Sequence, residues 1–360
     1  MNKVRLGDVA TYINGYAFKP DDRGSVGLPI IRIQDLTGNS YDLGFYDGEY
    51  PKRIEINNGD VLISWSASLG VYVWNKGKAL LNQHIFKVVF DKLEIDKQFF
   101  VYAVEHNLKE MVKQTHGATM KHIIKKDFDN TFIPYPSLEH QKRIAKLLDK
   151  TCDLIEKMKT QSALMEELIK ARFVEMFGDF ESLVNIWEPK KISDVTINYD
   201  NTRKPIKDSD RKKIQGKYPY YGATGIVDYL NNYRIDGTFL LVSEDGKALE
   251  FRNRDIAFIA KGKIWVNNHA HVLQCNSLVN MIFLMYYINN RDISSWVTGI
   301  DQKKLNRENL DKMPVGVPPI ELQNRFADFV AQIEKQKTTV KMSLEKLETL
   351  KKSLMQEYFG

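Results

Sequence analysis

The stretch EHQKRIAKLLDKTCDLIEKMKTQSALMEELIKARFVEMFG, residues 139–178, decides the organisation of the chain, because a second copy of its pattern ends the sequence. Residues 321–360 align with it without a gap at a shift of 182 positions. From Gly117/Gly299 to Gly178/Gly360, 15 of 62 aligned residues are identical, where ordinary composition predicts about four. The sequence therefore contains an internal duplication.

Both copies have the spacing of a long helix with an apolar stripe. In the first copy the stripe recurs every three or four residues, at Ile144, Leu147, Thr151, Leu154, Met158, Gln161, Met165 and Leu168. A second apolar column lies beside it and exceeds what one neighbouring helix can cover. We expect this second column to bind a partner protein, and its members are Leu148, Ile155, Ile169, Val330 and Leu344.

The composition is that of a globular protein with two or three domains. The 360 residues are 43% hydrophobic and carry a net charge of +6. The first residues form no apolar signal segment, and the longest apolar run, residues 278–288, is too short to span a bilayer. The two cysteines cannot form a structural zinc site and favour a reducing compartment. We expect a cytoplasmic protein.

A globular region precedes each helix, with short strand-like runs separated by glycine, asparagine and aspartate. In the first region these runs are at residues 29–33, 60–64, 71–74 and 85–90. Each region ends in a glycine-containing loop, a short strand and a proline that precedes the helix. The ends of the two regions match whereas their middles diverge, which is the pattern of a common framework with two different recognition surfaces.

The ordered set of these motifs resembles the specificity subunit of a Type I restriction-modification system. The resemblance rests on IPYPSLEHQKRIAKLL from residue 133, VGVPPIELQNRFADFV from residue 315, EELIKARFVEMFGD, YPYYGATGIVDY and LKKSLMQEYFG. It implies an α+β fold with an internal pseudo-twofold repeat. The implied domains are a first target-recognition domain at 1–136, a central helix at 137–178, a linker at 179–189, a second target-recognition domain at 190–318 and a C-terminal helix at 319–360.

The resemblance also implies a function and a set of partners. Each target-recognition domain would recognise one half of a split sequence in double-stranded DNA. The two helices would pair as an antiparallel coiled coil and bind two methyltransferase subunits, which restriction subunits join. S-adenosylmethionine, ATP and Mg²⁺ would be bound by those partner subunits, with no cofactor or metal bound by this chain.

The candidate DNA-binding residues are polar, basic or aromatic side chains near the glycine loops and at two Asn-x-His turns. Glycine loops bring backbone close to DNA, lysines neutralise phosphates, and asparagine, glutamine and histidine can recognise base edges. The candidates are Asn82, His84, Gly117, Thr119, Lys121, His122, Lys125, Tyr220, Tyr221, Thr224, Asn268, His269, Gly299, Gln302, Lys303 and Lys304.

No catalytic constellation accompanies these residues. The Pro318-Pro319 pair lacks the flanking residues of an amino-methyltransferase loop, and the phosphate-binding pattern G-x-x-x-x-G-K-[ST] is absent. The sequence DGK at residues 245–247 is a fragment of a metal-dependent nuclease signature and is common by chance. Two alternatives remain open: a single-chain DNA-binding nuclease or methyltransferase-associated enzyme, and a coiled-coil scaffold without a DNA role.

Overall fold

The computed structural model describes residues 2–40, 42–114, 124–300 and 302–360, with the backbone alone at 112–114. The chain divides into two compact units that share the two long helices. Unit 1 comprises Met1–Lys159 and Ser343–Gly360, and unit 2 comprises Thr160–Met342. No helix in the described ranges combines the length and the apolar content needed to cross a membrane.

The elements of the first globular region and the helix that follows it are β1 (Lys3–Arg5), α1 (Leu6–Val9), β2 (Thr11–Asn14), β3 (Leu28–Ile31), α2 (Ile33–Thr37), β4 (Phe45–Tyr46), β5 (Glu55–Ile56), β6 (Val61–Ser64), β7 (Gly70–Val73), β8 (Ala79–Leu81), β9 (Ile85–Val89), α3 (Lys97–Gln114), α4 (Lys125–Asp129), β10 (Phe132–Pro134) and α5 (Leu138–Phe177). The strands form the pair β1-β10 and two sheets, ordered β2-β9-β6-β7 and β4-β3-β8-β5.

The elements of the second globular region and its helix are α6 (Leu183–Ile186), β11 (Pro189–Lys191), α7 (Ile192–Val195), β12 (Thr196–Asn198), α8 (Asp208–Arg211), β13 (Gln215–Gly222), β14 (Gly225–Leu230), β15 (Ile235–Ser243), α9 (Lys247–Phe251), β16 (Ala257–Val266), β17 (Ala270–Cys275), α10 (Met281–Asn290), α11 (Arg307–Lys312), β18 (Pro314–Gly316) and α12 (Ile320–Phe359). The strands form the pair β11-β18 and one sheet ordered β12-β17-β15-β16-β13-β14.

The core of unit 1 joins the globular region to both long helices. Phe99 and Phe100 of α3, Leu148 of α5 and Phe359 of α12 belong to one buried cluster. The rings of Phe99 and Phe359 lie 5.1 Å apart between centroids. The beginning of α5 therefore packs beside the end of α12, so the two helices run antiparallel here.

Unit 2 repeats this arrangement with the helices exchanged. Phe173 near the end of α5 packs against Phe283 of α10, with centroids 5.4 Å apart, and against Phe326 at the start of α12, at 5.3 Å. Phe177 contacts Phe283 at 4.9 Å. Burying rings of this size is among the largest single contributions to a core. The predicted α+β fold with two long antiparallel helices is confirmed.

The inward-facing residues of α5 differ from the predicted stripe. Ile144, Leu148, Thr151, Ile155, Met165 and Ile169 are buried. They are spaced by four, three, four, ten and four residues, and the interval of ten skips two positions of the same four-three alternation, as in a coiled-coil core. Leu147, Leu154 and Leu168, which the first prediction placed inside, are 40%, 43% and 48% exposed. Neighbouring residues on a helix point about 100° apart, so the column that contains Leu147 and the column that contains Leu148 face different directions. Packing against the globular regions determines which of the two columns is buried.

Gly178 ends α5 in the left-handed conformation that favours glycine, with a φ of 97°. The segment after it is fastened within unit 2. The ring of Phe180 stacks on Phe173 with centroids 4.4 Å apart, and the Trp187 indole donates a hydrogen bond to the Phe177 carbonyl at 2.8 Å. The direction in which the chain leaves α5 is therefore fixed by packing.

Candidate nucleic-acid interface

Two turns, one in each globular region, occupy equivalent positions in the strand pairing. In unit 1, β3 and β8 run parallel with Ile31 opposite Leu81. In unit 2, β13 and β16 run parallel with Tyr221 opposite Val266. The residue after each pair is an asparagine whose backbone N–H donates to the carbonyl of the first strand, at 3.1 Å for Asn82 and 3.0 Å for Asn267. The two Asn-x-His sequences therefore begin at equivalent places in the strand pairing, although the left-handed φ of His84 has no counterpart at His269.

The histidine of each turn directly precedes the next strand. The carbonyl of His84 accepts a hydrogen bond from the Trp65 N–H at 3.2 Å, and the carbonyl of His269 accepts one from the Glu244 N–H at 2.9 Å. Trp65 and Glu244 thus occupy matching positions after strands β6 and β15. The same backbone framework presents an aromatic residue in unit 1 and a carboxylate in unit 2.

The turn in unit 1 is surrounded by aromatic rings. His84 adopts a φ of 74°, which is uncommon for a residue with a side chain. Its ring lies 5.0 Å from that of Trp65, which stacks on Phe86 at 5.8 Å. Gln83, between the asparagine and the histidine, is exposed. The aromatic contacts hold the turn while leaving an amide side chain accessible.

The turn in unit 2 is held by polar contacts instead. The side-chain oxygen of Asn267 accepts a hydrogen bond from the His269 N–H at 2.8 Å. The Nδ1 atom of His269 lies 2.9 Å from the carboxylate of Asp245. Asn268 between them is exposed. Asn267 therefore closes the turn, and Asn268 and the half-exposed His269 present their side chains to solvent.

A buried ionic network supports this side of unit 2. The fully buried ring of His271 lies 2.7 Å from the carboxylate of Asp200 through Nδ1. Its Nε2 lies 2.8 Å from the carbonyl of Leu305. Arg203 bridges Asp200, at 3.3 Å, and Glu244, at 2.5 Å. Since a carboxylate and a carbonyl only accept, the network is fully hydrogen-bonded when both ring nitrogens carry protons.

The electrostatics keep both carboxylates of this network charged. Burial disfavours the charge of Asp200, but hydrogen bonding and Coulombic attraction from His271 outweigh it, and the pKa of Asp200 lies below its ordinary value. Burial likewise opposes the charge of Glu244, and hydrogen bonds from Arg203 and Lys304 lower its pKa. The Nζ of Lys304 lies 2.9 Å from Glu244.

The network reaches the second glycine loop through Lys304. The backbones of Thr298 and Lys304 pair in both directions, at 2.8 and 2.7 Å, and close the loop between them. Gly299 has a φ of 94°, and an added Cβ would lie 2.1 Å from the Gln302 carbonyl oxygen, so only glycine fits. Gln302 is exposed, Lys303 is half-buried, and Ile300 is 96% exposed. The loop projects polar and apolar side chains from an ion-paired base.

The remaining predicted DNA contacts have different outcomes. Gly117, Thr119, Lys121 and His122 lie outside the described residues. Lys125 is exposed at the start of α4 and forms an ion pair with Asp129 at 3.2 Å.

The prediction that Tyr220 contacts DNA is wrong. Its side chain is 1% exposed, and its hydroxyl accepts a hydrogen bond from the Ile206 N–H at 3.0 Å. A register shift between Tyr220 and Tyr221 breaks the alternation of β13, so both tyrosines are at least partly covered. Tyr221 packs against Phe258 with centroids 5.9 Å apart. Thr224 is exposed at the tip of the β13-β14 hairpin.

The proposed outer column for partner binding is also corrected. Leu148 and Ile169 are 0% exposed, Val330 is 3% and Ile155 is 9%, so these side chains form the chain's own core and are unavailable to a partner. Leu344 is half-buried. An exposed apolar column does exist on α5, and each of its residues directly precedes a buried residue of the helix. We call it the outer stripe, and it consists of Leu147, Leu154, Leu164 and Leu168, 40–57% exposed.

Several residues of this interface were not predicted from the sequence, namely Trp65, Asp200, Arg203, Glu244 and His271. A signal for two of them exists. The strand-like runs DVLIS and TFLLVS both end in serine, at Ser64 and Ser243, and the residues that follow are Trp65 and Glu244. Aligning the two strands by this serine identifies the matched positions beside the turns.

Comparison with known proteins bears on this repeated architecture. The chain shares 33% identity over 173 residues with a putative type I restriction enzyme specificity subunit of Haemophilus influenzae, covering 48% of this chain and 40% of that protein. It shares 28% identity over 171 residues with the EcoBI specificity subunit of Escherichia coli, covering 47% and 36%. These two matches span less than half of either relative. A third relative, the MjaVIII specificity subunit of Methanocaldococcus jannaschii, is 22% identical over 393 residues, covering 98% and 90%.

The fold has counterparts among solved structures. The S subunit of a Type I restriction-modification system from M. genitalium aligns over 100% of this chain and 96% of its own, with a TM-score of 0.59 and 17% identity. A chain from a study of complex assembly in the type I R-M system aligns over 99% and 97%, with a TM-score of 0.56 and 14% identity. The family model for the Type I restriction modification DNA specificity domain matches twice, at residues 1–167 and 185–349. The chain belongs to this family.

Proposed function

We propose that this chain is the DNA sequence-recognition subunit of a Type I restriction-modification complex, located in the cytoplasm with the DNA. Each globular region recognises one half of a bipartite target. The chain itself breaks and forms no covalent bonds. The complex would be an adenine methyltransferase and endonuclease, with S-adenosylmethionine, ATP and Mg²⁺ on the partner subunits.

One observation carries this proposal: the Asn-x-His turn is built twice on the same backbone hydrogen bonds, in two different chemical settings. Gln83 and Asn268 are exposed at the same place in the two turns. Amide side chains pair with adenine through one acceptor and one donor. In unit 1 the turn is held by Trp65, and in unit 2 by Asp245. A repeated framework with exchanged surroundings is what two half-site readers of different specificity require.

The partner-binding part of the proposal rests on the outer stripe. Leu147, Leu154 and Leu168 are spaced by seven and fourteen residues and are uncovered in the described chain. An exposed apolar stripe on a helix is typical of a protein interface. We assign it to the methyltransferase subunits, two of which would bind the repeated helices, with the restriction subunits joining afterwards.

The test is to express the chain with a cognate methyltransferase subunit and to map N6-methyladenine across the host genome. We expect a bipartite motif that is lost when this chain is omitted. Exchanging residues 190–316 for the same region of a relative should change one half of the motif and preserve the other. Asn268→Ala should relax one half, and the matched variant Gln83→Ala should relax the other half.

Other outcomes distinguish the rival functions. A change in both halves after the exchange would contradict independent recognition. If the purified chain nicks DNA with Mg²⁺ and Asp245→Ala abolishes the cleavage, it is a nuclease. If neither the chain nor the complex binds duplex DNA at low salt, it is a scaffold, and the proposed function fails.

A further inference from the structure

A set of cations on unit 2 is held in place by aromatic rings. Lys217 lies over the ring of Tyr218 at 5.4 Å, and Lys263 lies over that of Tyr233 at 4.9 Å. The two tyrosine rings are 5.1 Å apart between centroids. Such contacts orient an exposed ammonium group while its N–H groups still face solvent.

Arg234 extends the same group of cations. Its guanidinium lies over Trp265 at 5.6 Å, and its Nε donates to the Thr202 carbonyl at 2.7 Å. Lys217, Arg234 and Lys263 are all exposed, and none of them forms an ion pair within the described part of the chain. Asp236 is opposite Lys263 in the strand register, yet the described structure shows no ion pair between them. We call these three cations the basic edge.

Another basic cluster in this region is neutralised. Arg211 pairs with Asp208 at 2.9 Å and with Asp228 at 3.0 Å. Lys212 pairs with Asp208 at 2.8 Å. The sequence shows a run of three cations at 211–213, but the structure gives this run its own acids. Excess positive charge is therefore found at the basic edge and not at the run of cations.

The equivalent edge of unit 1 has a carboxylate. In unit 2, Ile235 is opposite Ile264 in the register of β15 and β16. Arg234 and Lys263 each precede one member of that pair and are therefore diagonal neighbours. In unit 1 the matching pair is Ile56 and Ala79. The residues that precede its two members are Glu55 and Lys78, which form an ion pair at 3.0 Å. The lysine is common to both units, and its neighbour is Glu55 in one and Arg234 in the other.

We propose that the basic edge of unit 2 binds the phosphate backbone of duplex DNA, and that unit 1 lacks this contact. The inference rests on the proposed function and adds an asymmetry to it. Exposed, oriented cations without acidic partners release counterions when they meet phosphates, which strengthens binding without selecting a sequence. Phosphate contacts fix the register of a protein on the duplex. Unit 2 would therefore anchor the chain, and unit 1 would depend more on contacts to bases.

The test uses the complex of this chain with its methyltransferase subunit and a random-sequence duplex, with affinity measured across a salt series. The double variant Lys217→Ala with Lys263→Ala should reduce the slope of log affinity against log salt by about two. Equivalently, the loss of affinity between ~50 and ~200 mM salt should shrink on the order of tenfold. The methylated motif should keep both halves.

Two further variants isolate the charge. Arg234→Glu reproduces the Glu55–Lys78 arrangement of unit 1, and should reduce the slope although the framework accommodates glutamate there. Lys78→Ala removes the matched but neutralised lysine and should leave the slope unchanged. Thermal melting verifies that each variant is folded.

An unchanged slope in the double variant, in a complex that still methylates a bipartite motif, would overturn this inference alone. Loss of a methyltransferase subunit from the double-variant complex, with DNA binding intact, would assign the edge to an acidic protein surface instead. Absence of duplex binding by the unmodified complex would reject the proposed function itself.

Discussion

Gln141 and Gln323 make the same two side-chain hydrogen bonds in the two repeats. The amide oxygen of Gln141 accepts from the Asp96 N–H at 2.9 Å, and its nitrogen donates to the Pro136 carbonyl at 2.9 Å. The oxygen of Gln323 accepts from the Asn280 N–H at 2.8 Å, and its nitrogen donates to the Pro318 carbonyl at 2.7 Å. Each glutamine ties the start of a long helix to the start of an earlier helix, α3 in unit 1 and α10 in unit 2.

Gln323→Leu should therefore destabilise unit 2 by about 1–3 kcal/mol, because the substitution leaves a backbone N–H and a carbonyl unpaired beside a buried site. Gln141→Leu should have an effect of the same size on unit 1. Urea unfolding followed by fluorescence measures both. The exposed residue Arg325 on the same helix supplies the control, and Arg325→Leu with an equal loss of stability would contradict the assignment.

Lys337 is an ionic interruption in the apolar contact between the long helices of unit 2. It forms ion pairs with Glu166 and, at 2.7 Å, with Glu334. Burial opposes its charge, but the hydrogen bonds to the two glutamates outweigh burial and raise its pKa. We expect Lys337→Met to be neutral or stabilising within about 1 kcal/mol, since the two glutamates that lose their partner are 49% and 48% exposed and stay hydrated while the methionine gains apolar contact.

The repeat provides the matched control for this substitution. Ile155 occupies the position of Lys337 in the first copy and is 9% exposed. Ile155→Lys should cost about 2–4 kcal/mol, because it removes buried apolar surface and introduces a charge. The free energy of unfolding of both variants, measured by chemical denaturation, tests these two expectations. Equal losses of stability in the two variants would contradict the expectation for Lys337→Met and show that the ion pairs of Lys337 stabilise unit 2.

Acidification should destabilise unit 2 through Asp200 and Glu244. Both have pKa values lowered in the folded state, so their contribution to stability is complete above the unfolded pKa values of about 4. It is lost as the pH falls through the lower folded values. We expect Asp200→Asn to be less stable than the unmodified chain at neutral pH. The difference should begin to shrink at about pH 4 and close as the pH falls further, through the lowered folded pKa of Asp200.

Melting temperatures measured between pH 7 and pH 3 test this expectation. The exposed Glu308, which pairs with Lys312 at 2.6 Å, is the control. Glu308→Gln should melt as the unmodified chain does at every pH. A constant gap between Asp200→Asn and the unmodified chain across the series would refute the linkage.

The outer stripe predicts a defect in assembly without a defect in folding. Leu154→Glu with Leu168→Glu places charges on exposed positions, and should leave the melting temperature unchanged while abolishing copurification of the methyltransferase subunit. Ile155→Glu with Ile169→Glu alters buried positions and should unfold the chain. If the methyltransferase subunit still copurifies with the Leu154→Glu, Leu168→Glu variant, the outer stripe is not part of the partner interface.

The sequence predicts where the two long helices lie along the chain, but it does not predict which face of each helix is buried. Heptad spacing and the duplication predict α5 and α12, because both depend on local periodicity. The choice between Leu154 and Ile155 as the inward residue depends on what packs against the helix. Both columns are apolar and adjacent, so the period alone does not separate them.

The candidate interface also combines residues that were predicted from the sequence with residues that were not. The two Asn-x-His turns were predicted at matching points because they are local sequences. The network around Asp200 and His271 was not predicted, since these residues are 71 positions apart and meet only through the sheet. Tyr220 was misplaced because the register shift in β13 alters the alternation of inward and outward side chains. Long-range pairing and backbone irregularity are absent from local patterns.

The composition of unit 1 from two distant stretches has a consequence for biosynthesis. Its core includes Leu354 and Phe359, which are translated only after all of Thr160–Met342. At about 5–20 residues per second, roughly 180 intervening residues delay them on the order of 10–40 s. During that interval the first globular region emerges from the ribosome with Phe99 and Leu148 lacking part of their packing. Unit 2, whose residues are contiguous, can complete its core first. The region made first would thus be the last to mature, and its exposed apolar surface would be the part of the nascent chain most in need of chaperones.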